Sequence, residues 1–164
     1  MKSLQRLLEF EIDGSRYALR FSIVVNVVPA VEVTPLPKAP DIVAGVVDFH
    51  GRVVPVVSLR RRFNLPDREM VPADKFIIAR TQRTDSHGKG EILLVLVVDA
   101  VNGVVEVPKA DISAADTIAS GLEQIDGVVQ VAGGLLLIHD LDRCLSLEEN
   151  RMLDTAMGAV ENNG

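Results

Sequence analysis

The sequence predicts a mainly β fold: two small barrels of about five strands each, packed around a shared face, with one α-helix at the C-terminus. Three observations predict it. Valine supplies 25 of the 164 residues, beside a single Tyr and no Trp, and β-branched side chains lose rotamer freedom in helices but pack well on a pleated sheet. Short apolar runs are separated by turn dipeptides, as in hairpins. Finally, Gly45–Leu59 aligns without gaps on residues 127–141, an offset of 82. Gly45 and Gly51 fall on Gly127 and Gly133, Val46-Val47 on Val128-Val129, and Leu59 on Leu141. A unit of ~65 residues is marginal alone, so two copies should bury a common face and leave a groove between them.

The elements follow in order. Leu7–Ile12 and Tyr17–Phe21 flank Asp13-Gly14, a hairpin signal because Gly tolerates positive φ. Val24–Val33 is a strand region broken by Pro29, which lacks the donor of a central ladder and belongs at an edge or bulge. Thr34–Pro40, with three prolines, is a stiff extended connection. Gly45–Phe49 and Arg52–Val57 form a second hairpin, apolar on both faces. Leu59–Phe63 is one helical turn capped by Ser58 and closed by Asn64, with Arg60, Arg61 and Arg62 pointing to solvent. Residues 64–74 are a linker. Lys75–Gln82 and Glu91–Val98 are strands joined by a mobile polar tip, and Val104–Val107 is a short strand. Asp111–Gly121 has no clear preference, and Ile125–Ala132 and Leu135–His139 close the β region. Ser146-Leu147-Glu148-Glu149 is a capping box, after which Leu153, Ala156, Met157 and Val160 recur at helical spacing. That stripe either docks on a barrel or receives a partner.

Composition narrows the function. The chain is 48% hydrophobic, carries a net charge of −6 and has one cysteine, Cys144. An acidic balance with scattered aromatics argues against nucleic acid. No apolar run reaches ~18 residues and no signal peptide is visible, so a cytoplasmic protein without membrane insertion is expected. Residues 1–82 hold 12 Lys/Arg and 9 Asp/Glu, and residues 83–164 hold 5 and 14. Opposite signs in the two halves fit two surfaces for two partners, or attraction between the halves.

No catalytic constellation is legible. His50, His87 and His139 lie far apart, without carboxylate or Cys at ligand spacing. Cys144 reads as a small buried hydrophobe, Gly133-Gly134 as a hairpin turn, and Asp140 as a helix cap. No enzyme, metal or cofactor is expected.

Several motifs, in order, resemble the CheW family of chemotaxis coupling proteins. They are Leu8–Leu19, Val33–Pro40 followed by Gly45-Val46-Val47, and Gly51–Leu59, together with Val97-Val98-Asp99 and Leu137–Leu141. The resemblance spans roughly 7–145. It implies two five-stranded SH3-like barrels (about 7–66 and about 73–141) within one domain, 1–145, followed by a helix over 146–160. It also implies a non-catalytic adaptor that is recruited to membrane receptor arrays. Its partners would be the regulatory domain of a CheA-type histidine kinase, packed on the first barrel, and a chemoreceptor cytoplasmic tip, lying in the inter-barrel groove. By alignment, Val24, Asn26, His50, Leu93 and Leu94 line that groove, and Gly45 and Gly51 are turn glycines of the family pattern. Where the family carries Glu and Arg, this chain has Asn26 and His50. Both halves of a charge pair are thus absent, which implies an altered receptor site or, alternatively, a regulator that binds one partner only.

Overall fold

The computed structural model describes residues 3–85, 88–114 and 124–162. Its strands are β1 (Leu4–Ile12), β2 (Ser15–Arg20), β3 (Val24–Pro29), β4 (Val43–Phe49), β5 (Arg52–Ser58), β6 (Lys75–Asp85), β7 (Gly88–Val98), β8 (Ala100–Pro108), β9 (Ser113–Ala114), β10 (Ile125–Val131) and β11 (Gly134–His139). Two α-helices, α1 (Leu59–Arg62) and α2 (Leu147–Asn162), complete it. The Asp111–Gly121 segment enters a short 3-10 turn and β9; its residues 115–121 lie outside the described residues, as does His87 at the β6–β7 tip.

The expected pair of closed five-stranded barrels is not what forms. There is a six-stranded sheet, ordered β8-β1-β2-β11-β10-β9, and a five-stranded sheet, ordered β3-β6-β7-β5-β4, and neither closes on itself. Proline explains much of this. β3 ends at Pro29 and β8 at Pro108, residues that cannot donate to a further ladder. Beyond Pro29 the chain returns to the far edge, β4, through a single bridge, Thr34 to Val46. Beyond Pro108 it returns to β10 through the two-residue β9.

The repeat is real and reaches into the register. Val43 pairs with Val57 and Gly45 with Val56, around a bulge; 82 residues on, Ile125 pairs with His139 and Gly127 with Ile138, around the same bulge. β5 runs parallel to β7, as β11 runs parallel to β2. The two halves nevertheless exchange their first hairpins. β1–β2 joins strands of the second half, and β6–β7 joins strands of the first. Each sheet is therefore incomplete without the other half of the chain.

Alternation along the strands builds three apolar layers. Ile77, Leu94, Leu96 and Val98 face a shared core with Leu8, Phe10, Ile12 and Leu19 of the other sheet. Their neighbours Phe76, Ile78 and Val95 turn to the opposite face, with Val47, Val54 and Val56. On the six-stranded sheet Leu7, Ala18, Leu136 and Ile138 do the same. Ala30 and Val33, in the connection after β3, pack on the outer layer of the five-stranded sheet.

The Arg60–Arg62 run does not form the solvated face expected of it. Each arginine ties α1 to a different segment: Arg60 to Asp99, Arg61 to Asp67 and the Asp41 carbonyl, and Arg62 to Glu149 of α2. Ser58 caps α1 by accepting from the Arg61 N–H, and Asn64 follows it at φ 57°. The capping box also forms. Ser146 Oγ accepts from the Glu149 N–H at 3.1 Å, and Glu149 accepts from the Ser146 N–H at 2.8 Å.

Two glycines separate steric from conformational demands. His50 (φ 52°) and Gly51 (φ 83°) make a two-residue turn with both φ positive, and a Cβ on Gly51 would meet nothing within 4 Å. A Cβ on Gly45 would sit 2.1 Å from the Thr34 carbonyl oxygen. Gly45→Ala should therefore cost about 3 kcal/mol or more, since backbone must move, whereas Gly51→Ala should cost about 1–2 kcal/mol. Urea unfolding of the two variants checks the order; equal costs would contradict the close approach at Thr34.

Candidate partner-binding surfaces

The five residues assigned to a groove by alignment do not converge on one surface. Val24 and Leu94 both pair with Ala79 across β3-β6-β7. Val24 is half-buried, and Leu94, only 1% exposed, lies in the shared core. Leu93 points the other way and packs, half-buried, on the outer layer of the same sheet. Asn26 and His50 are exposed, but β3 and β4 are opposite edges of that sheet. Asn26 Oδ1 accepts from the Val27 N–H at 2.9 Å. The His50 ring stands edge-on to Phe49, centroids 4.4 Å apart. Among the described residues no hydrogen bond joins the two side chains.

Exposed apolar residues mark surfaces that sequence reasoning missed. Val25, the extra residue of a bulge in β3, is 41% exposed, and Val53, just past the β4–β5 turn, is 42% exposed. Val104 on β8 is 41% exposed, and Leu135 on β11, the repeat counterpart of Val53, is 60% exposed; the residue 82 positions beyond Val25 is Val107, which is buried. The signal lay in the repeat itself: position 53 with an offset of 82 is position 135. Apolar side chains held in water do not serve the cores, and at Val53 and Leu135 they stand at equivalent places of the two sheets.

Polar clusters tie the sheets together. Asp99, between β7 and β8, accepts from Arg60 at 2.6 Å, from Arg68 at 2.7 Å and from the Asp13 N–H at 2.8 Å. Arg68 also grips Asp74 through two contacts, of 2.8 and 2.9 Å. Burial alone would raise the Asp74 carboxyl, yet the Arg68 guanidinium and the Val71 N–H hold it below its ordinary range. On the six-stranded sheet, buried Glu9 takes two hydrogen bonds from Arg16 and one from Asn102. The Arg16 contact is the main reason its acid form is disfavoured. Arg16 also donates to the Ala132 carbonyl, at the β10–β11 turn. Every charge in these clusters is matched, which is how charges survive partial burial.

A row of rings crosses the molecule. Phe10 stacks on Tyr17 and Tyr17 on Phe63, and His139 meets the edge of Phe63 at 5.5 Å. His139, at the end of β11, is 3% exposed, and among the described residues neither ring nitrogen has a hydrogen-bond partner. Burial, with Arg62 beside it, lowers its pKa to about 4. Cys144 is fully buried, and burial pushes its thiol up to about 12, far from a nucleophile's range. Among the described residues no group of His, Cys, Asp and Glu is placed to hold a metal.

A family model for the CheW-like domain matches residues 6–149. The chain belongs to the CheW-like domain family. It is 27% identical over 157 residues to the chemotaxis protein CheW of Bacillus subtilis, covering 92% of this chain and 93% of that protein. The CheW of Treponema pallidum is 23% identical over 150 residues, with 90% and 86% covered. The protein FrzA of Myxococcus xanthus is 29% identical over 142 residues, with 84% and 82% covered. Among solved structures, the scaffolding protein CheW of Thermoanaerobacter tengcongensis superposes with a TM-score of 0.75 at 21% identity, covering 91% of this chain and 96% of that one.

As a CheW-like protein the chain is a non-catalytic adaptor of chemotaxis-type signal transduction. Among the described residues no helix is long and apolar enough to cross a membrane.

His139 makes a pH test possible. The unfolded chain takes up a proton near pH 6.5 and the folded one only near 4. Stability is therefore intact above pH 6.5 and drains away as pH falls towards 4, by about 2 kcal/mol at pH 5. His139→Leu should lack that loss, and at pH 7.5 it should match the parent or exceed it by about 1 kcal/mol, because two unpartnered nitrogens leave the interior. Urea unfolding at pH 7.5 and 5 measures both; parallel acid losses in the two proteins would refute the assignment.

Proposed function

We propose that this chain couples the cytoplasmic tip of a chemoreceptor to the regulatory domain of a CheA-type histidine kinase, and that both partners are engaged by the exposed positions described above. The observation that carries this reading is the family match along almost the whole described body, on a fold that holds exposed apolar residues on both of its sheets. A bridge needs two separate contact surfaces on one rigid frame. Val25 and Val53 on the five-stranded sheet, and Val104 and Leu135 on the six-stranded sheet, supply candidates for them. Recruitment to membrane receptor arrays follows from binding the receptor tip.

At the receptor surface Asn26 and His50 are the accessible members of the aligned set; Val24 and Leu93 support them from half-buried positions, and Leu94 acts only through the core. Gly45 and Gly51 shape the β4–β5 hairpin that carries His50. With neither charge of the family's Glu–Arg pair present, no unpaired ion is left at the surface, so the site is altered rather than broken. That observation also favours a second reading, a regulator that binds the kinase alone.

Calorimetry with a CheA regulatory domain and a receptor-tip fragment, added separately and together, distinguishes the two. Binding of both, with a ternary complex, is the expected result. Kinase binding alone would select the second reading, and binding of neither would end the coupling proposal. Asn26→Glu combined with His50→Arg should tighten binding to an ordinary receptor tip by several-fold, while each single change should do less. No gain from the pair would mean that these positions do not set receptor choice.

A further inference from the structure

α2 sits on the shared core through Leu153 and Ala156, which are buried, with Met157 and Val160 beside them. Its first turn is latched to the body by an ion pair, Glu149 to Arg62 at 2.5 Å. The latch lies next to three buried nitrogens that have no hydrogen-bond partner among the described residues, Arg62 Nε and both nitrogens of His139. Buried donors and acceptors left unmade oppose the closed arrangement, because each regains a partner when water reaches it.

The other half of the repeat shows what an ordinary finish would be. At the position equivalent to His139 stands Val57, fully buried and apolar. There the repeat runs on into α1 and a linker, and no long helix follows. The sheet-and-turn unit is thus complete without a helix, and the polar surroundings of the latch are a feature of the α2 seat alone.

We propose that the α2 seat is a helix-binding groove, that α2 is its exchangeable occupant, and that its external ligand is an amphipathic helix of another chain. The fit defines that helix. It carries an acidic residue near its N-terminus to take Arg62, then apolar residues four, seven, eight and eleven positions on, as Glu149, Leu153, Ala156, Met157 and Val160 do. Arg62 supplies the charge complementarity, and the apolar seat supplies the area. Binding there requires α2 to leave, so α2 acts as a built-in competitor. This surface is distinct from the exposed valines assigned to coupling.

The probe is a fluorescent synthetic peptide with the sequence of residues 146–162, titrated into the full-length protein and followed by anisotropy. Leu153→Asp, which expels α2 from its seat, should bind the peptide at least tenfold more tightly than the parent. Glu149→Gln, which opens only the latch and leaves the core intact, should give a gain of several-fold. Adding Arg62→Gln to Leu153→Asp, or Glu149→Gln to the peptide, should each remove most of the gain, and the two together should remove no more than either. If Leu153→Asp fails to unfold cooperatively, the Glu149→Gln protein decides. No gain in a folded variant, or a gain indifferent to Arg62, overturns the proposal.

Discussion

The molecule depends on one buried layer, the shared core to which both sheets contribute every second residue of their central strands. Leu8 and Leu19 on one side, and Ile77, Leu94 and Leu96 on the other, have no alternative place to hide, because neighbours such as Leu7, Ala18, Phe76 and Val95 already fill the outer layers. Side chains of successive strand residues point to opposite faces. A strand apolar at every position therefore demands cover on both faces, and the exchange of hairpins provides it. With β1–β2 lent to one sheet and β6–β7 to the other, the two repeats cannot separate without both sheets losing their middle strands. The polar clusters work in the same direction: Asp99 gathers Arg60, Arg68 and the β1–β2 turn at one junction.

This construction suits an adaptor. A protein that bridges two partners without chemistry of its own has only its shape to offer, and a single stiff body keeps two surfaces at a fixed separation. The exposed residues are consistent with that use. Val25, Val53, Val104 and Leu135 remain in water on the two sheets, and Val53 and Leu135 do so at the same position of the repeat.

Much of the local structure was legible from residue types. Asp13-Gly14 and His50-Gly51 do form turns with positive φ, Pro29 does end an edge strand, and Ser58 and Ser146 do cap their helices. The 82-residue repeat was legible in the apolar pattern, to which register is tied; the bulge that both copies share was not. What could not be read was the partner of each hairpin. Adjacent repeats suggest self-contained units, and nothing in local pattern distinguishes a hairpin that pairs within its half from one that crosses over. Barrel closure failed for a related reason, since the short returns at Thr34 and β9 depend on where prolines stop the ladders. Arg60–Arg62 looked solvated because their partners, Asp99, Asp67 and Glu149, are set by the fold rather than by helical spacing. The aligned groove residues were legible as a family pattern, yet Leu93 and Leu94 are neighbours on one strand and so necessarily face opposite ways.

The most direct test of the exchanged, single-body architecture is native-state hydrogen exchange, comparing amides of β2 and β7 in the free protein. Cooperative units appear as sets of amides that share one opening free energy. In the exchanged architecture, Leu19 in β2 and Leu96 in β7 should exchange only through global unfolding, with the same free energy and the same denaturant dependence. If either hairpin opened at a free energy lower by more than about 1 kcal/mol while the other sheet stayed protected, the halves would be separable units, and the picture of one rigid bridge would be contradicted.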